Sequence, residues 1–257
     1  MTSAAALRFD QIAANFVSSE VHSHSASIQR LHDILDIPPD SSVIDVACGA
    51  GHLALSFAHR VKRIVGLDGA PSMLTSFLSL AEQRGVVVET VHAMSHDIPF
   101  ASETFDLAMS RLAPHHFPDI QASIQEMARI IRPGGFVAII DLHGYDDPTI
   151  DALNHELEVL HDPTHVRSHP PATWRAAMTA AGLDIVAFET HRRESATGIT
   201  IKRWCELAAS GSVAENSIRE RLLHADHTHR EALGIVRYDN EFLIPVRTLL
   251  AIGRKDI

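Results

Sequence analysis

The chain has 257 residues and only two cysteines, Cys48 and Cys205, so at most one bridge can form and a disulfide scaffold is excluded. Cysteine this sparse fits a reducing, cytoplasmic address. Aromatic residues are scarce at 5%, which leaves aliphatic and histidine side chains to shape a pocket. Basic residues are outnumbered: 22 Lys and Arg face 32 Asp and Glu, for a formal charge of −10. That balance gives no general attraction to a phosphate backbone, and no nucleic-acid partner is expected. No apolar run reaches about 18 residues, so no membrane span is expected. The first residues, MTSAAALRFDQIAANF, lack a basic start followed by a long apolar stretch, and no secretory signal is expected. Internal repeats, low-complexity tracts and a Pro/Gly-rich linker are also missing, which favours one domain over 1–257. What is present in excess is histidine, with 18 residues.

Short apolar runs bounded by turn signals recur at 42–48, 63–68, 86–91, 105–110 and 136–142. Several are rich in β-branched residues and almost continuously apolar, as strands buried on both faces are. Helical patterns at 52–59, 71–84 and 119–131 lie between them. Pro71 suits the first turn of its helix, and Gly85 suits the position just past the end. Strand–helix alternation of this kind predicts right-handed crossovers and a doubly wound, mostly parallel sheet. Beyond Leu142 the spacing predicts helices at 149–161, 172–181, 199–209, 214–223 and 228–233. It adds strands at 183–188 and 242–253, the last interrupted by Pro245. These bring the sheet to seven strands.

The strongest local signal is Val43-Ile44-Asp45-Val46-Ala47-Cys48-Gly49-Ala50-Gly51-His52, a strand feeding a glycine turn that opens a helix. Glycine permits the tight turn and a close approach by a ligand. Gly49 to Ala54 also matches the dinucleotide pattern G-x-G-x-x-A, and Asp68 ends the second strand 23 residues after Asp45. An acid there can hold ribose hydroxyls, so an adenosine-containing ligand is expected. Asp45 repels a pyrophosphate at close range and attracts the ammonium and sulfonium of S-adenosylmethionine. The alternatives are a capping role for Asp45 and a turn role for Asp68.

With these residues in place the chain resembles the class I S-adenosylmethionine-dependent methyltransferases, in the small-molecule branch that includes quinone-biosynthesis C-methyltransferases (methyltransferase type 11). The resemblance covers about 9–190 and the last strand. Asp45 to Gly51 resembles the first motif, usually D-x-G-x-G-x-G, with Ala47 in place of its first glycine. Val65-Gly66-Leu67-Asp68-Gly69-Ala70-Pro71-Ser72-Met73 resembles the second, which implies Asp68 on the ribose and Met73 near the adenine. Ala93-Met94-Ser95-His96-Asp97-Ile98-Pro99-Phe100 resembles the block G-D-A-E-x-L-P-F, with Met94 where the adenine-binding acid normally stands; the Ser95 backbone remains available. Asp97 is a neighbouring acid in a different register. Phe105-Asp106 followed by Ser110 to Phe117 resembles the fourth-strand motif, which makes Arg111 a cofactor contact. Arg132-Pro133-Gly134-Gly135 matches the turn before strand five, and Asp162 to Arg167 resembles a segment lying over the active site in some members.

The resemblance implies a Rossmann-like α/β fold with helical lid additions. Residues 1–35 form N-terminal lid helices, 36–145 the cofactor-binding core, and 146–181 with 195–238 a helical cap. Segments 183–190 and 240–254 supply the final core strands. The expected cofactor contacts are Asp45, Ala47, Gly49, Gly51, Asp68, Gly69, Met73, Met94, Ser95 and Arg111. His115 and His116 follow strand four at the ligand-binding edge and are candidate general bases with Arg111 as a further catalytic candidate; packing or capping is the alternative. Asp141 and His143 leave strand five at the same edge, facing either substrate or an ordinary turn. His161 and His165, with His22, His24 and His155, raise the question of a metal, but Pro163 spoils the helical spacing and no metal is expected. Trp204 reads as packing rather than substrate stacking. The expected function is methylation of a small phenol, quinol or nitrogen heterocycle, with a homodimer compatible. An NAD-dependent oxidoreductase and a non-catalytic S-adenosylmethionine-binding protein are the alternatives.

Overall fold

The computed structural model describes residues 3–12, 26–194, 197–239 and 241–256. In chain order its strands are β1 (Ser42–Val46), β2 (Arg63–Asp68), β3 (Glu89–His92), β4 (Phe105–Arg111), β5 (Ile131–Leu142), β6 (Leu183–Arg193), β7 (Ile199–Thr200), β8 (Val236–Tyr238), β9 (Glu241–Ile244) and β10 (Arg247–Lys255). The helices are α1 (Ala4–Ile12), α2 (Ala26–Ile34), α3 (His52–Leu55), α4 (Pro71–Gln83), α5 (Ile120–Ile130), α6 (Pro148–His161), α7 (Pro171–Ala180), α8 (Ile201–Leu207), α9 (Gly211–His224) and α10 (His227–Leu233).

The main sheet has seven strands in the order β3-β2-β1-β4-β5-β10-β6. Strands β1 to β5 pair in parallel, and β10 runs antiparallel between β5 and β6. Alternation along each strand sends neighbouring residues to opposite faces. Ile44, Val65, Val137 and Leu249 pack with Ile124, Met127 and Trp174 on one side. Val43, Ile64, Met109, Ala138 and Leu250 pack with Leu31, Phe57 and Phe77 on the other. Both faces are therefore covered, as the near-continuous apolar runs predict.

Local chemistry sets the helix ends. Pro71 opens α4, and Gly85 follows its last turn at φ 66°. Asp119 caps α5 through Ala122 N–H, and Asp147 caps α6 through Thr149 and Ile150 N–H. A further apolar cluster, with Leu153, Leu157, Trp204, Ile218, Leu222 and Phe242, ties α6, α8 and α9 to a small antiparallel sheet, β7-β9-β8. The part from β7 to β9 lies between β6 and β10 in the chain, whereas α6 precedes β6. The two ends of the excursion meet, because Glu194 N–H donates to Val246 C=O at 3.1 Å.

Several expectations differ from the structure. Helix α3 ends at Leu55 rather than 59. Strand β3 begins at Glu89; Val86 and Val88 pack against the core cluster of Phe57 and Phe77 while Val87 is exposed. The apolar stretch 242–253 is two strands in two sheets, parted at Pro245, whose missing N–H cannot continue a ladder. Segment 195–238, read as helical, also supplies β7 and β8 to the small sheet.

Candidate active site

The chain leaves β1 and turns through Ala47, Gly49 and Gly51 at φ 59°, 53° and 84°. All three are left-handed, so Ala47 holds a backbone conformation in which glycine is at home. The glycines differ in what surrounds them. A Cβ on Gly49 would find its nearest neighbour, Met73 Sδ, 4.0 Å away, whereas a Cβ on Gly51 would fall 1.9 Å from the Phe77 ring. Gly51, expected among the cofactor contacts, instead gives α4 its place against the turn and does not line the cleft.

Two acids hold this turn from below. Asp68 accepts hydrogen bonds from Gly49 N–H at 2.9 Å and Ala70 N–H at 2.8 Å. Asp45 accepts one from Ala54 N–H at 3.1 Å, so the capping role considered for it is realised. Both are buried. Burial pushes the Asp68 pKa up, and it pushes Asp45 up to about 8.

A cleft of about 990 Å³ opens at the C-terminal ends of β1, β2 and β4, where the strand order reverses. Asp45, Ala47, Gly49, Asp68, Gly69, Met73, Met94, Ser95 and Arg111 line it, and Ala6 and Phe9 of α1 border it. The Ser95 hydroxyl is shared with Ser123 Oγ at 2.8 Å, while Met94 fills the space beside Gly69. Arg111 Nη2 lies 3.4 Å from Glu194 Oε2, and its Nε donates to Ser27 Oγ at 3.2 Å. Glu194 also accepts from Ser27 and Thr248 hydroxyls. This carboxylate, at the end of β6, has no signal in the sequence.

A second cavity, of about 950 Å³, lies under the cap and shares Phe9, Leu112 and His116 with the first. His115, His143, Glu158, His161, His165, Trp204 and Arg247 also line it. The two adjacent histidines have separate environments. His115 Nδ1–H donates to Asp141 Oδ1 at 2.6 Å, and Asp141 is fully buried. Burial pulls the His115 pKa down, but the charge and hydrogen bond of Asp141, with Glu158 and Asp162 behind them, outweigh it and the net shift is upward. With Nδ1 so engaged, the neutral ring keeps its lone pair on Nε2. His116 Nδ1–H donates to Thr164 C=O at 3.0 Å, and burial, reinforced by His115, pushes its pKa down to about 3.

Burial raises the Glu158 carboxyl to about 7 and lowers His161 to about 4. The His161 ring stacks on Trp204 at 4.2 Å, so Trp204 both packs and forms cavity wall. Sequence reasoning passed over Glu158 and Arg247, which carry no motif. Among the described residues, no group of three or more His, Cys, Asp or Glu could hold a metal. His22 and His24 lie outside the described residues. Helix α1 spans both cavities: Asp10 accepts from Ser72 N–H at 2.8 Å, and Arg8 Nε pairs with Asp162 at 3.2 Å.

Residues 44–139 match the family described as methyltransferase domain. The uncharacterized methyltransferase YcgJ of Bacillus subtilis is 29% identical over 199 residues, 77% of each chain. Its crystal structure superposes with a TM-score of 0.82 at 26% identity, covering 90% of this chain and 98% of that one. A demethylmenaquinone methyltransferase of Bacillus cereus is 30% identical over 122 residues, 46% of this chain and 52% of the relative.

Proposed function

We propose that this chain, which is a class I S-adenosylmethionine-dependent methyltransferase, passes the methyl group to a small molecule enclosed in the second cavity, with His115 as general base. The observation that carries the reading is the buried His115–Asp141 pair, set in a cavity that meets the cofactor cleft along Leu112 and His116. The cleft residues fit the cofactor. Asp68 offers a carboxylate to ribose hydroxyls, Asp45 a buried carboxyl that a cationic ligand would ionise, and Gly49 an approach with no side chain of its own in the way. A pyrophosphate, unlike a cation, would gain nothing from ionising Asp45, and neither the family nor the relatives favour the oxidoreductase reading.

S-adenosylmethionine supplies the electrophilic methyl carbon and its own leaving group. The protein supplies position, dryness and a proton acceptor. Enclosure by α1 and the cap excludes water and aligns the acceptor, and alignment alone can be worth up to ~10 kcal/mol. His115 Nε2 takes the proton of an acceptor O–H or N–H, and Asp141 stabilises the imidazolium formed. The acceptor class that suits this pairing is a phenol, quinol or nitrogen heterocycle. The demethylmenaquinone methyltransferase relative supports the carbocyclic end of that range. The reading includes a cytoplasmic address and no nucleic-acid substrate.

Calorimetric titration with S-adenosylmethionine and NAD, then a turnover screen of phenols, quinols and heterocycles beside RNA and DNA oligomers, tests it. Binding of NAD alone, or methylation of the oligomers alone, would sink it. Asp68→Ala is expected to weaken S-adenosylmethionine binding by about 1.5–3 kcal/mol through loss of charge-assisted hydrogen bonds.

Asp45 adds a proton-linked prediction. Its raised pKa of about 8 leaves it mostly protonated at pH 7 in the free protein. A bound cation favours the carboxylate, so binding should expel a proton and tighten as pH rises toward 8. Titrations in buffers of different ionisation enthalpy should report a release approaching one proton at pH 7. Asp45→Asn should abolish that release; an unchanged release in the variant would assign it elsewhere.

A further inference from the structure

One polar side chain of the second cavity has no use in the chemistry above. His143 is 4% exposed and lines that cavity but not the cofactor cleft. Among the described residues neither Nδ1 nor Nε2 has a hydrogen-bond partner. A buried imidazole without partners carries a desolvation cost that a bound ligand can relieve. Its ring is nevertheless held: it lies 4.0 Å from the His191 ring and 5.0 Å from the Tyr145 ring. Aromatic packing fixes the plane and leaves both nitrogens unspent.

The backbone locates His143 relative to the base. Its N–H donates to Arg247 C=O at 3.0 Å, which continues the β5–β10 ladder one step past Leu142. Asp141 and His143 are therefore two positions apart on an extended chain, side chains on one face, with Cα atoms about 7 Å apart. One strand end thus supplies both the carboxylate that orients His115 and a second, independent imidazole. Burial, with His191 and Arg247 nearby, lowers the His143 pKa to about 4, so at neutral pH the ring offers one donor and one acceptor.

We propose that His143 is a specificity-determining residue that hydrogen-bonds a second oxygen or nitrogen of the acceptor, distal to the group His115 deprotonates. The acceptor class that follows is a planar ring system with two polar groups on separate edges. A neutral imidazole accepts from a hydroxyl or donates to an oxo group with equal ease, so either oxidation level of the distal oxygen is accommodated. This rests on the second cavity being the acceptor site, and the test separates the two.

The test compares 1,4-dihydroxynaphthalene, kept reduced under argon, with 1-naphthol. Binding is titrated in the presence of S-adenosylhomocysteine, for the wild-type protein and for His143→Phe. Phenylalanine keeps the ring contacts with His191 and Tyr145 and removes both nitrogens. An unchanged S-adenosylhomocysteine affinity certifies that the variant is folded, because His143 does not line the cofactor cleft. We expect the wild type to prefer the diol by about tenfold, the worth of one buried hydrogen bond. His143→Phe should lose that preference and bind 1-naphthol as the wild type does. A preference that survives in His143→Phe, or a wild type that binds both equally, overturns the assignment and leaves the acceptor site standing. Failure of both compounds to bind the wild type overturns the assignment and the aromatic-acceptor reading together.

Discussion

Replacing His115 by alanine should lower kcat by about 10²–10⁴-fold while leaving S-adenosylmethionine affinity nearly intact. The separation is expected because His115 lines the second cavity and does not line the cofactor cleft. Its lone pair on Nε2 is set by the Nδ1–H donated to Asp141, so Asp141→Asn should also slow turnover, by removing the charge that stabilises the imidazolium. The pH profile carries the sign. A base works deprotonated, and the pKa of His115 is raised above 6.5, so activity should climb with pH along a limb centred above 6.5. Asp141→Asn removes the main force raising that pKa, and the limb should move to lower pH. His116 is the internal control. Its ring is already neutral at pH 7, so its removal should leave the position of the limb unchanged. Retention of full turnover by His115→Ala with a confirmed acceptor would reduce the mechanism to orientation alone.

The second large effect is on stability. Gly51→Ala should destabilise the fold by about 3–5 kcal/mol, combining the cost of a left-handed L-residue with that of an overpacked core. For a chain of this size that lowers Tm by roughly 10 °C. The added methyl would sit inside the Phe77 ring, and Phe77 is fully buried between α4 and the sheet, so neither can withdraw cheaply. Gly49→Ala, at φ 53° but with open space around its Cβ, should cost only about 1–2 kcal/mol. Its larger effect should fall on cofactor binding, because Gly49 lines the cleft. Thermal unfolding of the two variants separates these roles; equal Tm values would refute the distinction.

The motif could not reveal that difference, because two glycines of one turn look alike in sequence. The same limit applies to His115 and His116. They are adjacent, and the short 3-10 turn from Pro114 to His116 sends one ring to a carboxylate and the other to a carbonyl. What was legible follows from burial on two faces: β2 and β4 stand at or within one residue of where their apolar runs lie, and β1 starts with its run and ends two residues before it does. Val86 to Val88 and the 242–253 stretch misled for one reason. Apolar character records burial but not the partner, and both segments are buried partly outside the ladder to which they were referred. Glu158, Glu194 and Arg247 escaped because a charged residue on a helix or strand end reads as solvent-facing until a distant segment covers it. Glu194 meets Arg111 across 83 positions of chain.

The hydrogen bond joining Glu194 to Val246 makes the intervening stretch an insert whose entry and exit coincide. An insert with joined ends imposes almost no strain on its host, since loop closure varies only logarithmically with length. Descent with modification can therefore lengthen, shorten or replace it while the two flanking strands stay in register. Among the described residues, that stretch supplies Trp204, Ile244 and other walls of the second cavity but none of the first cleft. Grafting the corresponding stretch from a relative should thus transplant acceptor preference as a cassette while the affinity for S-adenosylmethionine stays with the host.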